Sequence, residues 1–89
     1  KTGEEILEKF RELPDIDLIL MDIRLPGMTG LEVIREIRKI SNRLPVIAET
    51  AYTNKEDQEN SILAGANDFI AKPINPKKLL YIIENYLYW

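Results

Sequence analysis

Asp22, Thr50 and Lys72 each stand at the end of a short apolar run, and together they offer a carboxylate, a hydroxyl and an ammonium. The chain holds no Cys and no His, so thiolate ligation, disulfides and imidazole chemistry are excluded. Only carboxylates, hydroxyls, amides, Lys and Arg remain for any reaction. If the three runs are neighbouring strands of one sheet, the trio meets in the crevice outside their carboxyl ends, where open α/β sheets bind ligands. Such a trio suits phosphoryl transfer to Asp22. A carboxylate is a competent nucleophile toward phosphorus, and a lysine with a hydroxyl or backbone N–H stabilises charge on the transferred oxygens. Taken singly, each residue has an ordinary reading: Asp22 as a turn residue, Thr50 as a cap and Lys72 before Pro73 as a solvated lysine. Their joint placement at the same end of successive strands raises the functional one.

The elements that must position them follow from spacing. Leu18 to Met21 is an apolar run bounded by Asp17 and Asp22, with the length of a strand buried on both faces. Pro26, Gly27 and Gly30 make the next segment a turn, and Thr29 with Glu32 forms a capping box that starts a helix. That helix carries Leu31, Val33, Ile34, Ile37 and Ile40 on its apolar side, while Glu32, Arg35, Glu36, Arg38 and Lys39 are expected on a wet face. Upstream, Ile6, Leu7, Phe10 and Leu13 mark one face of a helix over Glu4 to Leu13, stopped by Pro14. Pro45 to Ala48 is a second strand ending in Glu49 and Thr50. Thr53 with Glu56 predicts the cap of a third helix running to Gly65, a residue suited to the left-handed position past a helix end. Its stretch from Asn54 to Asn60 has no apolar residue, so it faces solvent or a partner covers it. Asp68 to Ala71 is a third strand ending at Lys72. Asn75 as N-cap and Pro76 at the first helical position open a last helix with Leu79, Leu80, Ile82, Ile83, Tyr86 and Leu87 apolar. The order α-β-α-β-α-β-α predicts an α/β fold, a three-layer, doubly wound parallel sheet with right-handed crossovers.

Composition narrows the function classes. The 89 residues make one domain at most, and at 45% hydrophobic and 30% charged they have a globular composition without low-complexity bias. A net charge of -3 gives no electrostatic footprint for nucleic acid or an anionic membrane. No apolar run approaches the roughly 18 residues of a membrane-spanning helix, and Lys1 to Glu5 has no signal-peptide core. Direct nucleic-acid or membrane partners are therefore not expected.

Three motifs in order resemble the receiver domains of two-component response regulators and hybrid sensor histidine kinases. Met21 to Gly30 resembles the phosphoacceptor loop, Ala48 to Ala51 the switch-threonine segment, and Ala71-Lys72-Pro73 the Lys-Pro element. Ala64 to Phe69 is similar to the approach to the last strand. The resemblance covers residues 1–89 and implies a flavodoxin-like fold and a cytoplasmic phosphorelay component, a phosphoacceptor signalling domain rather than an enzyme, with only self-phosphorylation and autodephosphorylation. It implies that Asp22 takes a phosphoryl group from a phosphohistidine on a histidine kinase or histidine phosphotransfer domain, that Thr50 contacts the phosphoryl oxygens and that Lys72 pairs with them. It further implies that Phe69 is the switch aromatic that rotates when Thr50 moves, that Lys72-Pro73 is a cis peptide, and that Mg²⁺ is held by Asp22, the backbone carbonyl of Arg24 and an acidic pair. Thr50-Ala51-Tyr52 looks more like hybrid-kinase receivers than transcription factors.

One departure from the family pattern stands beside these matches. Receivers resemble five-stranded domains of sheet order 2-1-3-4-5, and this chain reads from the second helix onward. The β1-α1-β2 unit that would hold the acidic pair is missing from the sequence, so Asp22 and Arg24 amount to half a Mg²⁺ site. The first strand here is then expected to be an apolar edge open to pairing with another chain, a homodimer included, and the last helix to lack a packing partner. A second reading is accordingly an interaction or dimerisation fragment in which Asp22 is not phosphorylated. A third, an aspartyl-phosphate hydrolase of the haloacid dehalogenase type, is opposed by Arg24, which stands where that family's second Asp would be.

Overall fold

The computed structural model describes residues 2–12, 16–24, 28–51 and 54–87. Seven elements follow one another in the expected alternation: α1 Gly3–Glu12, β1 Ile19–Asp22, α2 Gly30–Ile40, β2 Val46–Ala51, α3 Lys55–Ala64, β3 Asp68–Lys72 and α4 Pro76–Leu87. The strands form one parallel sheet in the order β1-β2-β3. In register, Leu20 faces Ile47, Asp22 faces Glu49, Ala48 faces Phe69 and Ala51 faces Lys72.

Because side chains alternate across a strand, this register divides the core in two. Met21, Val46 and Ala48 point to one face, where α1, α2 and α3 cover them with Leu7, Val33, Ile34, Ile37 and Ala64. Ile47 and Ile70 point to the other, where α4 contributes Ile82, flanked by Leu79 and Tyr86. The fold is thus the three-layer parallel α/β arrangement that the sequence predicts.

Local chemistry explains the element ends. Thr29 caps α2, its hydroxyl accepting from the Glu32 N–H at 3.3 Å and donating to Glu32 Oε1 at 3.3 Å. A reciprocal capping box opens α1: Thr2 Oγ1 accepts from the Glu5 N–H at 3.2 Å, and Glu5 Oε1 accepts from the Thr2 N–H at 3.1 Å. Asn75 Oδ1 accepts from the Lys77 N–H at 2.9 Å ahead of Pro76, as expected. Gly65 follows α3 with φ of 121°, a conformation that L side chains rarely adopt.

Several expectations need correction. The cap of α3 is Asn54, whose Oδ1 accepts from the Asp57 N–H at 2.9 Å, so the helix starts one residue later than a Thr53–Glu56 box requires. Thr53 itself lies outside the described residues, as do Leu13, Pro14, Pro26, Gly27 and Tyr52. The first strand runs from Ile19 to Asp22 rather than from Leu18 to Met21, and it is not buried on both faces. Leu20 is 40% exposed because it shares the face of Ile47, where α4 reaches β2 and β3 through Ile82 and leaves β1 uncovered. α3 inverts the usual apolar-inward rule, with Ser61 and Ala64 buried and Ile62 and Leu63 outside.

Candidate functional site

Asp22 and Lys72 end β1 and β3, two outer strands separated by β2, and their side chains meet across it. Lys72 Nζ donates to Asp22 Oδ2 at 2.7 Å, with the side chains 44% and 30% exposed. The other carboxylate oxygen, Oδ1, accepts from the Arg24 backbone N–H at 2.8 Å. Both oxygens therefore already face donors of the kind that would stabilise negative charge on a group attached there. Its hydrogen bond to Asp22 raises the Lys72 pKa above its ordinary value, partial desolvation opposes that, and the charges of Asp22 and Glu49 add to it. Lysine stays an ammonium throughout the neutral range.

The loop that carries Asp22 into α2 is braced by two close approaches. Gly30 lies so near the strand that a Cβ there would overlap the carbonyl oxygen of Asp22 and Ile23 Cα, both backbone atoms that cannot swing aside. Glu4, in the first turn of α1, accepts from the Met28 N–H at 2.8 Å, and that bond holds its carboxyl below the usual range. On the far side, the Arg24 guanidinium lies 2.6 Å from Asp57 Oδ2 in α3.

Thr50 does not join Asp22 and Lys72 on their face of the sheet. Strand alternation and register put Asp22, Glu49 and Lys72 on the α4 side and Thr50 on the side of Ala48 and Phe69. Thr50 is fully buried, and its hydroxyl has no hydrogen-bond partner among the described residues. A buried hydroxyl without a partner costs free energy relative to a satisfied or apolar group. Phe69 is partly buried against the cluster of β1, β2 and α2. The peptide between Lys72 and Pro73 is cis.

The residues present do not make a magnesium site. Among the described residues there is no group of three or more Asp, Glu, His or Cys that could hold an ion. Asp22 has both oxygens engaged, and one carboxylate with one backbone carbonyl is fewer ligands than an octahedral hard cation takes from a protein that retains it.

Arg38 is the structural residue that pattern reasoning missed. Expected on a wet helix face, it is half-buried, and its guanidinium donates to the carbonyls of Gly65 at 2.7 Å, Ser41 at 3.2 Å and Leu44 at 2.7 Å and to Asn67 Oδ1 at 2.7 Å. Burial lowers its pKa from the ordinary arginine value. Asn67 Oδ1 also accepts from the Val46 N–H at 2.8 Å, so this network ties the residues that lead into β2 and β3. The signal was present only as Gly65 and Asn67 close together before a strand.

The family model of the response regulator receiver domain matches residues 1–84. The chain belongs to that family. It is 40% identical to hybrid signal transduction histidine kinase I of Dictyostelium discoideum over 93 aligned residues, covering 96% of this chain and 5% of that protein. It is 38% identical to the chemotaxis protein CheY of Thermotoga maritima over 79 residues, covering 89% of this chain and 65% of that protein. The chain therefore spans less than two thirds of the length of either relative. Among solved structures, the receiver domain of NtrX from Brucella abortus superposes with a TM-score of 0.86 at 31% identity, over 97% of this chain and 72% of that one. The receiver domain of Ssk1 from Saccharomyces cerevisiae, solved with the histidine phosphotransfer protein Ypd1, gives 0.86 at 28% identity, over 97% and 67%. The fold is that of the CheY-like, flavodoxin-like receivers, which are signalling domains rather than enzymes of the ordinary kind. No helix among the described residues is long and apolar enough to cross a membrane.

Proposed function

We propose that this chain is the phosphoacceptor part of a two-component phosphorelay, with Asp22 as the accepting residue. The observation that carries the reading is the 2.7 Å contact of Lys72 Nζ with Asp22 Oδ2, made at the carboxyl ends of β1 and β3. In the transfer, an Asp22 carboxylate oxygen attacks the phosphorus of a phosphohistidine. The new O–P bond forms as the P–N bond breaks, and the imidazole leaves with the electron pair and takes up a proton. Lys72, held protonated by its hydrogen bond to Asp22, neutralises charge on the phosphoryl oxygens, and the Arg24 N–H does the same from the other side. Thr50 then has a reason for its unpartnered hydroxyl: moving toward the phosphoryl oxygens gives it a partner and vacates space on the face that Phe69 shares.

The donor in this reading is a histidine kinase or a histidine phosphotransfer domain, in keeping with a relative that is a hybrid histidine kinase and a structural neighbour solved with a phosphotransfer protein. The location is cytoplasmic, and no nucleic acid is bound directly. The test uses the full-length protein and a phosphohistidine donor domain: phosphate acquired by the parent should be acid-stable and base-labile, map to Asp22, and be absent from Asp22→Asn. Equal labelling of Asp22→Asn would overturn the assignment.

A further inference from the structure

Four ion pairs join described residues, and two of them lie within single helices. The third is Lys72 with Asp22. The fourth, Arg24 with Asp57, connects the loop after β1 to the first turn of α3.

Arg24 is tied at both ends. Its backbone N–H donates to Asp22 Oδ1, while its guanidinium sits 2.6 Å from Asp57 Oδ2 without the alignment of a hydrogen bond. The two partners differ in setting, since the Arg24 side chain is 66% exposed and that of Asp57 only 13%. Apart from the Asn54 cap, the first two turns of α3 carry no apolar anchor. Asn54 to Asn60 contains no apolar residue, the buried contacts come later from Ser61 and Ala64, and Ile62 and Leu63 point outward.

From this arrangement, and resting on the reading that Asp22 accepts a phosphoryl group, we propose that Arg24 and Asp57 form a charge latch that holds α3 in the unphosphorylated state. A phosphoryl group on Asp22 carries more charge than the Asp57 carboxylate and offers three acceptor oxygens, which a planar guanidinium engages bidentately. Arg24 follows Asp22 by two residues, a span of at most about 7 Å, so its side chain reaches that group by rotating through solvent. Asp57 is then left as a nearly buried carboxylate without its cation, a state that favours movement of the first turn of α3 toward water. The latch thus converts charge at Asp22 into release of α3, and it opposes phosphorylation until it opens. By linkage, removing the latch must favour the phosphorylated state by the same factor.

The test measures beryllofluoride, a phosphoryl analogue, binding to the full-length protein in Mg²⁺ buffer. Asp57→Asn should bind it about five- to tenfold more tightly than the parent. In an Arg24→Gln background the same Asp57 substitution should change the affinity little, because the pair acts as a unit. Amide exchange in the unsubstituted protein gives a second readout independent of variant folding: protection over residues 57–61 should fall when beryllofluoride binds. Unchanged affinity in Asp57→Asn, an Asp57 effect that persists at full size without Arg24, or unchanged α3 protection would each overturn the latch while leaving Asp22 as acceptor. Absence of Asp22-dependent beryllofluoride binding in the parent would overturn the acceptor reading and the latch with it.

Discussion

Lys72 donates to Asp22 at 2.7 Å although fifty positions of chain separate them. The sheet register explains how. Asp22 lies opposite Glu49, whereas Lys72 lies opposite Ala51, two residues further along β2. That offset is about 7 Å at the usual rise per residue, close to the length of an extended lysine side chain. The ammonium therefore reaches back over β2 to a carboxylate that its own backbone overshoots.

Replacing Lys72 with Met should leave Asp22 as the acceptor and slow its phosphorylation by about a hundredfold, the usual effect of removing one donor to developing negative charge. Initial rates of phosphotransfer from a phosphohistidine domain measure this. The same pair sets a pH dependence whose sign is fixed. The folded-state pKa of Lys72 is raised from 10.5, chiefly by the Asp22 hydrogen bond, so the pair's contribution is complete below 10.5 and is lost as pH climbs through the higher folded value. Urea midpoints followed from neutral into alkaline solution should fall less steeply for Lys72→Met than for the parent. Parallel curves would mean that the pair contributes nothing to the native state in solution.

Arg38→Ala should be among the most damaging single substitutions outside the core. It removes four hydrogen bonds from a charged donor and leaves carbonyls of Gly65, Ser41 and Leu44 without that partner. We expect a loss of about 2 to 4 kcal/mol in urea unfolding of the full-length protein. Arg38→Lys should recover only part of it, since a point charge cannot fork to four acceptors. A loss below about 0.5 kcal/mol, typical of an exposed helix position, would assign Arg38 to the solvated face after all.

The contrast between Arg38 and Lys72 shows what the sequence made legible. All seven elements and the meeting of Asp22 with Lys72 follow from apolar runs, turn residues and the rule that ligands sit at strand carboxyl ends. These are local or topological signals. Helical spacing points Arg38 to a solvated face because it says which way a side chain starts, not that a guanidinium can find Gly65 and Asn67 more than 25 residues on. Spacing alone starts α3 one residue early because Thr53 and Asn54 are both good caps, and only three-dimensional packing chooses between them. Thr50 shares the carboxyl-end edge of the sheet with Asp22, and period-two alternation puts its side chain on the face of Ala48 and Phe69.

Among the described residues β1 pairs only with β2, and on the α4 side Leu20 is 40% exposed, Leu80 56% and Tyr81 66%. At about 25 cal/mol per Å², a few hundred Å² of such surface is worth several kcal/mol, a large part of the stability of a small domain. Expressed by itself, the 89-residue chain should self-associate, with its sedimentation coefficient rising with concentration. Leu20→Lys, which places a charge on the open strand, should shift it toward monomer. A chain that stays monomeric and well protected from amide exchange at every concentration would contradict this account of the edge.

Thr50→Val separates stability from switching. The substitution keeps the shape of a fully buried side chain and deletes a hydroxyl that has no partner among the described residues. Deleting an unsatisfied buried polar group usually helps a fold, so the variant should be as stable as the parent or more stable by about 1 kcal/mol in urea unfolding. If that hydroxyl is kept to meet phosphoryl oxygens on Asp22, the gain carries a functional cost. Thr50→Val and Thr50→Ala should both still acquire phosphate at Asp22 yet lose most of the change in partner affinity that phosphorylation produces, measured as the ratio of dissociation constants with and without beryllofluoride. Thr50→Ser, which retains the hydroxyl and leaves a methyl-sized gap, should do the reverse, losing about 1 kcal/mol of stability while preserving most of the ratio. A ratio that follows stability across the three variants, rather than the presence of the hydroxyl, would remove Thr50 from the switch and leave its orphaned oxygen a packing defect.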